Sequence, residues 1–230
     1  MKTLSRRHKE NIEKTKDKIC SSIEEAISLL KETATAKFIE TVELHANLNI
    51  DPKYADQQLR TTVTLPNGIG KQVKIAVLTD NENFEEATNA GADIVGNDEL
   101  IENITKGNIN FDLLIATPTM MPKLAKLGRV LGPKGLMPSP KSGTVSTTLK
   151  TTLLEFKKGK FEYKADKTGV LHVSFGKTNF TNNQLNENLI ALYQSIEQNR
   201  PSGVKGKYFK SLFVCTTMGP SIKLDLSAFA

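Results

Sequence analysis

Tryptophan is absent from the 230 residues, and cysteine occurs only twice, as Cys20 and Cys215 at opposite ends of the chain. Two cysteines allow one bridge but no disulfide framework, so a reducing compartment is the default. No apolar run approaches the roughly 18 residues that cross a bilayer. These absences exclude a disulfide-stapled miniprotein and a membrane-spanning chain, and we predict no membrane partner.

The N-terminus also lacks the features of a targeting segment. Residues Met1 to Lys18 are basic overall but include Glu10, Glu13 and Asp17, and they contain no apolar core. A secretory signal needs such a core, and a transit peptide is poor in acidic residues. We therefore expect the protein to work in the compartment where it is made.

The composition that remains is ordinary for a soluble globular protein, with 38% hydrophobic and 24% charged residues. There are 31 basic residues against 25 acidic ones, which gives a formal net charge of +6. This bias is compatible with a polyanionic partner but does not establish one. The length suits one large domain or two small ones.

Both ends of the chain carry α+β patterns. The polar segment from Arg6 to Ile19 predicts a solvated helix, and Ser22 has capping-box spacing before a second helix. The segment from Lys37 to Ile50 predicts a strand with one free face, because apolar and polar residues alternate from Val42 onward. The last third predicts one helix and four strands: a helix at Asn183 to Gln198 and strands at Phe161 to Ala165, Val170 to Phe175, Tyr208 to Thr216 and Ser221 to Leu226.

The middle of the chain has a different, α/β pattern. Strands and helices alternate there: strands at Val73 to Leu78, Gly91 to Val95 and Phe111 to Ala116, and helices at Asn83 to Ala90, Asp98 to Lys106 and Pro118 to Leu127. Such alternation predicts βαβ units and a mostly parallel sheet. With turn-rich breaks at Leu65 to Gly70 and at Gly159-Lys160, we predict a discontinuous α+β domain from residues 1–69 and 159–230 and an inserted α/β domain from residues 70–158.

Motifs of enzymes and cofactor sites are missing from the sequence. The glycines at Gly68 and Gly70 precede a strand and lack the third glycine of a dinucleotide fingerprint, and Gly128 to Gly135 lacks the P-loop ending. The three histidines and two cysteines show no metal-ligand spacing. We predict no enzyme, no cofactor and no metal site. A small-molecule enzyme or nucleotide-binding protein built on the middle domain stays open as the alternative.

Three segments are candidates for contact with a nucleic acid. The glycine- and proline-rich stretch from Lys126 to Lys141 predicts a loop without a packed core, and its cations suit a phosphate backbone: Lys126, Arg129, Lys134 and Lys141. The free face of the Lys37 to Ile50 strand offers hydrogen-bonding groups, and the turn from Thr216 to Pro220 has hydroxyls and a glycine. A solvated loop, a solvated strand face and a plain turn are the alternatives.

Taken together, these motifs resemble a known family, that of the first protein of the large ribosomal subunit, in its bacterial and plastid form. The resemblance runs from about Arg6 to Leu226 and is carried by five segments: Ala36-Lys37-Phe38, Glu40-Thr41-Val42-Glu43, Leu127 to Pro140, Asp166-Lys167-Thr168-Gly169 and Thr216-Thr217-Met218-Gly219-Pro220. It implies a terminal domain that binds ribosomal RNA and an inserted Rossmann-like domain without a nucleotide.

The resemblance also implies which residues contact the RNA, namely those on the exposed face of the terminal domain's sheet and on its turns. Carried over by position, the rRNA-binding residues are Lys37, Phe38, Thr41, Glu43, His45, Asp166, Lys167, Thr168, Ser211, Thr217, Met218 and Gly219. In this interpretation Glu43 and Asp166 accept from 2′-hydroxyls or hold neighbouring cations. The four cations between Lys126 and Lys141 would make a secondary RNA contact.

The partners that the resemblance implies are the stalk region of large-subunit rRNA and the exit-site tRNA, whose release in deacylated form the stalk assists. Family members often also repress translation of their own mRNA, which organelle members need not retain. The expected location is the ribosome, in a plastid (chloroplast) stroma or a bacterial cytoplasm, and the chain is expected to be a monomer within the ribosome.

Overall fold

The computed structural model is a mixed α/β protein, and it describes residues 5–15, 19–80, 84–204 and 206–229. Contacts between Cα atoms divide the chain into two compact units. Unit 1 comprises Met1–Gly70 and Glu162–Ala230, and unit 2 comprises Lys71–Phe161. None of the described helices is both long and apolar enough to cross a bilayer.

Unit 1 is built on a five-stranded sheet in the order β1-β10-β9-β2-β8. Its strands are β1 (Ile19–Cys20), β2 (Thr41–Leu48), β8 (Val170–Lys177), β9 (Phe209–Thr216) and β10 (Ile222–Leu224). The short β1 pairs with β10 in parallel, and every other pairing in this sheet is antiparallel. The expected antiparallel α+β character of the chain ends is therefore present.

The central strand β2 shows the alternation that its sequence predicts. Its even positions from Val42 to Leu48 are fully buried, whereas its odd positions from Thr41 to Asn47 stay partly exposed. The strand is shorter than the predicted Lys37 to Ile50, because residues 37–40 and 49–50 lie outside the β2 ladder. Residues 36–40 are instead held by the Glu40 carboxylate, which accepts hydrogen bonds from the Ala36 N–H and from the Met218 N–H in the turn after β9.

The described residues of unit 1 form three α-helices: α1 (Arg6–Thr15), α2 (Ile23–Thr33) and α8 (Asn182–Gln198). The last two pack on one side of the sheet. Ser22 caps α2 by accepting a hydrogen bond from the Glu24 N–H, and Thr181 and Gln184 form a complete capping box at α8. The predicted first helix was wrong at its end, because Ile19 lies in β1; residues 16–18 are outside the described part of the chain.

A two-stranded sheet of β3 (Arg60–Thr64) and β7 (Lys160–Lys164) accompanies the large sheet. The β7 strand matches the expectation for residues 161–165 within one residue. The β3 strand was not predicted, because its run of threonines shows little contrast between its two faces. Strand pairing and the ion pair between Arg60 and Glu162 join β3 to β7.

Unit 2 contains a three-stranded parallel sheet in the order β5-β4-β6. Its strands are β4 (Ile75–Leu78), β5 (Ile94–Gly96) and β6 (Leu113–Ala116), and its helices are α3 (Phe84–Asn89), α4 (Asp98–Thr105), α5 (Met121–Ala125), α6 (Gly128–Leu131) and α7 (Leu149–Lys157). Alternate residues of β4 enter two separate apolar clusters, with α4, α5 and α6 on one face and α3 and α7 on the other. The parallel pairing agrees with the strand–helix alternation of the sequence.

The structure of unit 2 departs from the sequence analysis at three points. The segment from Lys126 to Lys141 is not a loop without a core, since it contains α6, and Leu127 and Leu131 are buried against the strands. The α7 helix was missed, although Leu149, Leu153 and Phe156 occur at helical spacing and are buried together. The predicted helix from Pro118 to Leu127 is interrupted, with a 3-10 turn at Pro118–Met120 before α5.

Unit 1 is expected to fold without unit 2, because its sheet and the helices on it come entirely from residues outside 71–161. Deleting residues 71–158 and joining the ends with a short glycine linker should leave a chain that unfolds cooperatively in urea. The full-length chain, measured in parallel, is the control. A deletion product without a cooperative transition would contradict this prediction.

Candidate nucleic-acid interface

One side of the five-stranded sheet carries partly exposed side chains, and we call this side, opposite α2 and α8, the open face. Its central row crosses all five strands through directly paired residues: Ile19, Lys223, Phe213, His45 and His172. On either side of His45, β2 adds Glu43, paired with Cys215 and Ser174, and Asn47, paired with Ser211 and Val170. The open face is therefore a continuous array of polar groups with a few apolar ones.

Three of the residues expected to bind RNA lie within this array, namely Glu43, His45 and Ser211. The structure adds neighbours that sequence analysis did not single out: Ile19, Asn47, His172, Phe213, Cys215 and Lys223. The alternation within β8 and β9 contained a signal for several of them. Their position next to β2 depends on strand order and register, which the alternation does not specify.

At one end of the open face, the buried carboxylate of Glu40 joins two segments. It accepts hydrogen bonds from the Ala36 N–H (3.2 Å) and the Met218 N–H (2.8 Å), and the residue is only 1% exposed. A carboxylate is a strong acceptor for backbone N–H groups. The Glu40 carboxylate thereby holds the segment that begins at Ala36 and the turn after β9 at the same end of the sheet.

Six expected site residues are brought together at this Glu40 end: Lys37, Phe38, Thr41, Thr217, Met218 and Gly219. The Thr41 N–H donates to Thr217 Oγ1 (3.0 Å), and the Thr217 N–H donates to the Thr41 carbonyl (3.1 Å). Phe38 and Met218 are large apolar side chains, yet 54% and 51% of their surfaces are exposed. Exposed apolar groups held beside backbone-anchored hydroxyls are suited to contact with a partner.

Glycine is required at position 219 by a close approach. A Cβ atom there would lie 2.3 Å from Thr216 Oγ1, well inside van der Waals contact. The Gly219 N–H donates to the Thr216 carbonyl (3.1 Å), which closes the turn. Gly219 therefore shapes the turn that presents Thr217 and Met218.

Asp166, Lys167 and Thr168 form a turn at the opposite end of the face, between β7 and β8. The Asp166 carboxylate accepts from the Thr168 N–H, the Thr168 hydroxyl and the Val170 N–H, each at 2.8 Å. These hydrogen bonds, the Thr168 side chain first, hold the pKa of Asp166 below its usual value. Asp166 thus orders its own turn, while Lys167 and Thr168 are exposed beside it.

The two ends of the face are separated by the length of β2, so the expected residues do not form a single cluster. The Glu40 end adjoins Thr41, and the Asp166 turn adjoins Leu48, whose N–H donates to the Gly169 carbonyl (3.0 Å). Gly169 is buried and has a φ of +81°, a conformation that favours glycine. The site is consequently an elongated surface with an ordered turn at each end.

His45 is the centre of a cluster of titratable groups in the middle of the open face. Its Nδ1 lies 2.7 Å from Nδ1 of His172, and its Nε2 lies 3.1 Å from Cys215 Sγ and 3.8 Å from Glu43 Oε2. Burial and the neighbouring His172 lower the pKa of His45, against a smaller opposing effect of Glu43. Burial raises the pKa of the Cys215 thiol. Both side chains are therefore neutral at pH 7.

The four cations expected to make a secondary contact all belong to unit 2. Lys126, Arg129, Lys134 and Lys141 are exposed, as expected for groups that meet a phosphate backbone. Leu127 and Leu131, between the first three of these cations, are buried and fix that part of the segment to the unit 2 core. The cations therefore lie on an anchored surface segment.

Fold and site together define a mixed α/β protein whose candidate site is an open sheet face with ordered turns at its ends. A family model described as the ribosomal protein L1p/L10e family matches residues 30–220. The chain belongs to this family. The resemblance read from its sequence is therefore confirmed, and the chain is a ribosomal protein and not an enzyme.

Relatives cover the whole chain. It is 80% identical over 230 residues to the large ribosomal subunit protein uL1c of Phaeodactylum tricornutum (strain CCAP 1055/1), with 100% of both chains covered. It is 80% identical over 229 residues to uL1c of Trieres chinensis, again with 100% of both covered. It is 57% identical over 228 residues to uL1 of Prochlorococcus marinus subsp. pastoris, covering 99% of this chain and 97% of the relative. The predicted ribosomal location, in a plastid or a bacterial cytoplasm, agrees with these relatives.

Replacing Glu40 with Gln should loosen the Glu40 end of the face. An amide group has one acceptor oxygen, and its NH₂ group cannot accept from a backbone N–H. We expect the free energy of unfolding to fall by about 1.5–3 kcal/mol, the typical range for a hydrogen bond to a charged group. Urea unfolding measures the loss, and hydrogen exchange should accelerate at the Met218 amide. The matched control is Glu43→Gln, three residues further along the chain on β2; equal effects of both changes would contradict the structural role assigned to Glu40.

The lowered pKa of His45 makes stability depend on pH. At pH values below the ordinary histidine pKa of 6.5, the unfolded chain binds a proton at His45 more readily than the folded chain does. Acid therefore favours unfolding. Stability should therefore fall as the pH drops below about 6.5, and above it this group contributes no pH dependence. Urea unfolding between about pH 5 and pH 8 tests this. His45→Gln should flatten the slope, and an unchanged slope would refute the prediction.

Proposed function

We propose that this large-subunit ribosomal protein binds large-subunit rRNA directly, at the mobile stalk, through the open face of unit 1. The single observation that supports this most is the array of polar groups across the four paired strands β10, β9, β2 and β8, bounded by the Glu40 end and the Asp166 turn. The relatives are named as proteins of the large ribosomal subunit, and this supports RNA as the partner of such a surface.

The chemistry of the open face suits RNA in particular. RNA presents 2′-hydroxyls and base edges on a wide, shallow minor groove or in unpaired segments. Glu43, Asn47 and Ser211 offer acceptors and donors to hydroxyl groups, and Phe38 and Met218 offer exposed apolar surface. Lys37 and Lys167 are exposed at opposite ends, where phosphate contacts would set the orientation of the RNA.

Asp166 is assigned a different role from the contact with 2′-hydroxyls or cations that the sequence analysis expected. Its carboxylate is engaged by the Thr168 and Val170 groups of its own turn, and this supports a role in presenting Lys167 and Thr168 to the RNA. Glu43 is half-exposed on the open face, which supports direct contact. The acidic members of the site therefore have two distinct roles.

The same proposal includes a division of labour between the two units. Unit 1 would be the discontinuous RNA-binding domain, and unit 2 an inserted Rossmann-like domain that carries no nucleotide. The three-stranded parallel sheet of unit 2, with helices on both faces, supports the assignment of unit 2 as a Rossmann-like domain. The exposed cations Lys126, Arg129, Lys134 and Lys141 would supply a secondary RNA contact from unit 2.

The remaining partners rest on the family resemblance. We propose that the chain takes part in the release of deacylated tRNA from the exit site, acting as a monomer within the ribosome. Repression of translation of its own mRNA is the further prediction, and it requires that the mRNA imitate the ribosomal site. Both roles would use the open face if it binds rRNA as proposed.

Thr217→Ala should weaken binding to the stalk RNA without changing its salt dependence. The Thr217 hydroxyl accepts from the Thr41 N–H and lies in the exposed turn, so its removal leaves polar groups unpaired at the interface. The expected loss is about 1–3 kcal/mol of binding free energy. Filter-binding titrations at several salt concentrations measure both quantities. Thr217→Ser, which keeps the hydroxyl, is the matched control; unchanged affinity of Thr217→Ala would remove this turn from the site.

Lys167→Ala should behave differently, because a phosphate contact acts through counterion release. We expect it to weaken binding to all RNAs alike and to reduce the salt slope by about one unit. Lys106→Ala, at another exposed lysine beyond the end of α4, is the matched control and should leave the slope unchanged. An equal slope for Lys167→Ala and the unmodified protein would contradict a phosphate contact at this turn.

A further inference from the structure

The cluster around His45 has a second chemical use beyond contact with RNA. Glu43 and His45 are two residues apart on β2 and therefore project to the same side of the sheet. Cys215 is paired directly opposite Glu43 on β9. Strand pairing thus places a carboxylate, an imidazole and a thiol side by side, although Cys215 is 170 residues from His45 in sequence.

The distances among these three groups are close to those of a tetrahedral metal site. Their ligand atoms lie within 4.8 Å of one another, with 3.1 Å between His45 Nε2 and Cys215 Sγ and 3.8 Å between Nε2 and Glu43 Oε2. Zinc bonds of about 2.3 Å to sulfur and 2.0–2.2 Å to nitrogen or oxygen place neighbouring ligand atoms about 3.4–3.6 Å apart. The two distances from His45 Nε2 therefore differ from this geometry by about half an ångström, and the distance between Glu43 and Cys215, which is at most 4.8 Å, differs from it by at most about 1.2 Å.

His172 supplies the outer contact that such a site needs. A metal-binding histidine usually donates its other ring N–H to an acceptor, which fixes both its tautomer and its orientation. His45 Nδ1 lies 2.7 Å from His172 Nδ1, so its N–H can be donated there. With Nδ1 protonated, the Nε2 lone pair of His45 points to Cys215 and Glu43 and is free to bind a metal ion.

We propose that Glu43, His45 and Cys215 bind a zinc-class cation, with His172 as a positioning residue and the fourth position open to solvent. On binding, a metal–sulfur bond replaces the S–H bond of Cys215, and the thiol proton passes to the buffer. The imidazole and the carboxylate contribute lone pairs without losing a proton. All four side chains belong to unit 1.

The mixed ligand set selects the type of metal. Thiolate and imidazole favour Zn²⁺ and related transition ions, whereas Mg²⁺ and Ca²⁺ prefer oxygen ligands only. The three ligand residues are half-exposed on the open face, so an ion reaches them without unfolding of the sheet. Three protein ligands with one open position is the arrangement of zinc sites that exchange a water or another ligand.

The sequence analysis predicted no metal site because it used only the spacing of histidines and cysteines along the chain. Ligands on separate strands have no fixed spacing, and register alone brings Cys215 opposite Glu43. The other cysteine, Cys20, lies on the buried side of β1 and is therefore a suitable internal control.

The test is titration of the RNA-free, full-length protein with Zn²⁺ in competition with a chromophoric chelator, in a reducing buffer without thiols. Co²⁺ is the second probe, because a cobalt–thiolate bond produces a charge-transfer absorption band. We expect one equivalent of metal and the thiolate band with the unmodified protein. Cys20→Ser should bind like the unmodified chain, whereas Cys215→Ser should lose the band and bind more than about 100-fold more weakly.

His172→Gln keeps all three ligands and tests the positioning role separately. It should retain the thiolate band but lower the zinc affinity about 10–100-fold, as loss of an outer hydrogen bond to a ligand does. Urea unfolding of each variant without metal verifies that the sheet is intact. Equal zinc affinity of Cys215→Ser and Cys20→Ser, or no thiolate band in the unmodified protein, would overturn the proposal. RNA is absent throughout, so either result is independent of the proposed RNA contact.

Discussion

The pairing of β2 with both β8 and β9 is the constraint on which the rest of unit 1 depends. It sets the even positions of β2 against α2 and α8 and leaves the odd positions on the open face. A slip of one residue would exchange the two sides, exposing apolar side chains and burying Glu43 and His45. The large cost of that exchange fixes the register, and the register in turn places Cys215 and His172 beside His45.

Two acidic residues of this basic ribosomal protein have a structural role at the ends of the sheet. Glu40 and Asp166 use their carboxylates on backbone N–H groups, one buried and one exposed, and thereby order the segments on either side of β2. Hydrogen bonds to a carboxylate are stronger than those between neutral groups, so each acidic residue fixes its segment firmly. The lysines beside these ordered turns remain available for phosphates.

Prediction from sequence succeeded where the pattern was local and strong. The alternation of β2, the position of Ser22 at the start of α2 and the long α8 were all recognisable, because each depends on neighbours along the chain. It failed at β3 and at α7, where short polar residues weaken the contrast between the two sides of an element. It also failed for the Lys126 to Lys141 segment, whose Leu127 and Leu131 are buried in a cluster that includes β4, a strand distant in sequence.

By itself, the sequence determined the family, the elements at the centre of each unit and the identity of most residues proposed for RNA contact. Its motifs are long and ordered, and residues such as Lys37, Thr217 and Met218 are recognisable wherever they lie in space. Only the tertiary structure decided that Glu40 joins two of these segments and that Glu43, His45, His172 and Cys215 meet. The physical reason is that strand order and register are set by burial of the whole sheet, and no single segment contains that information.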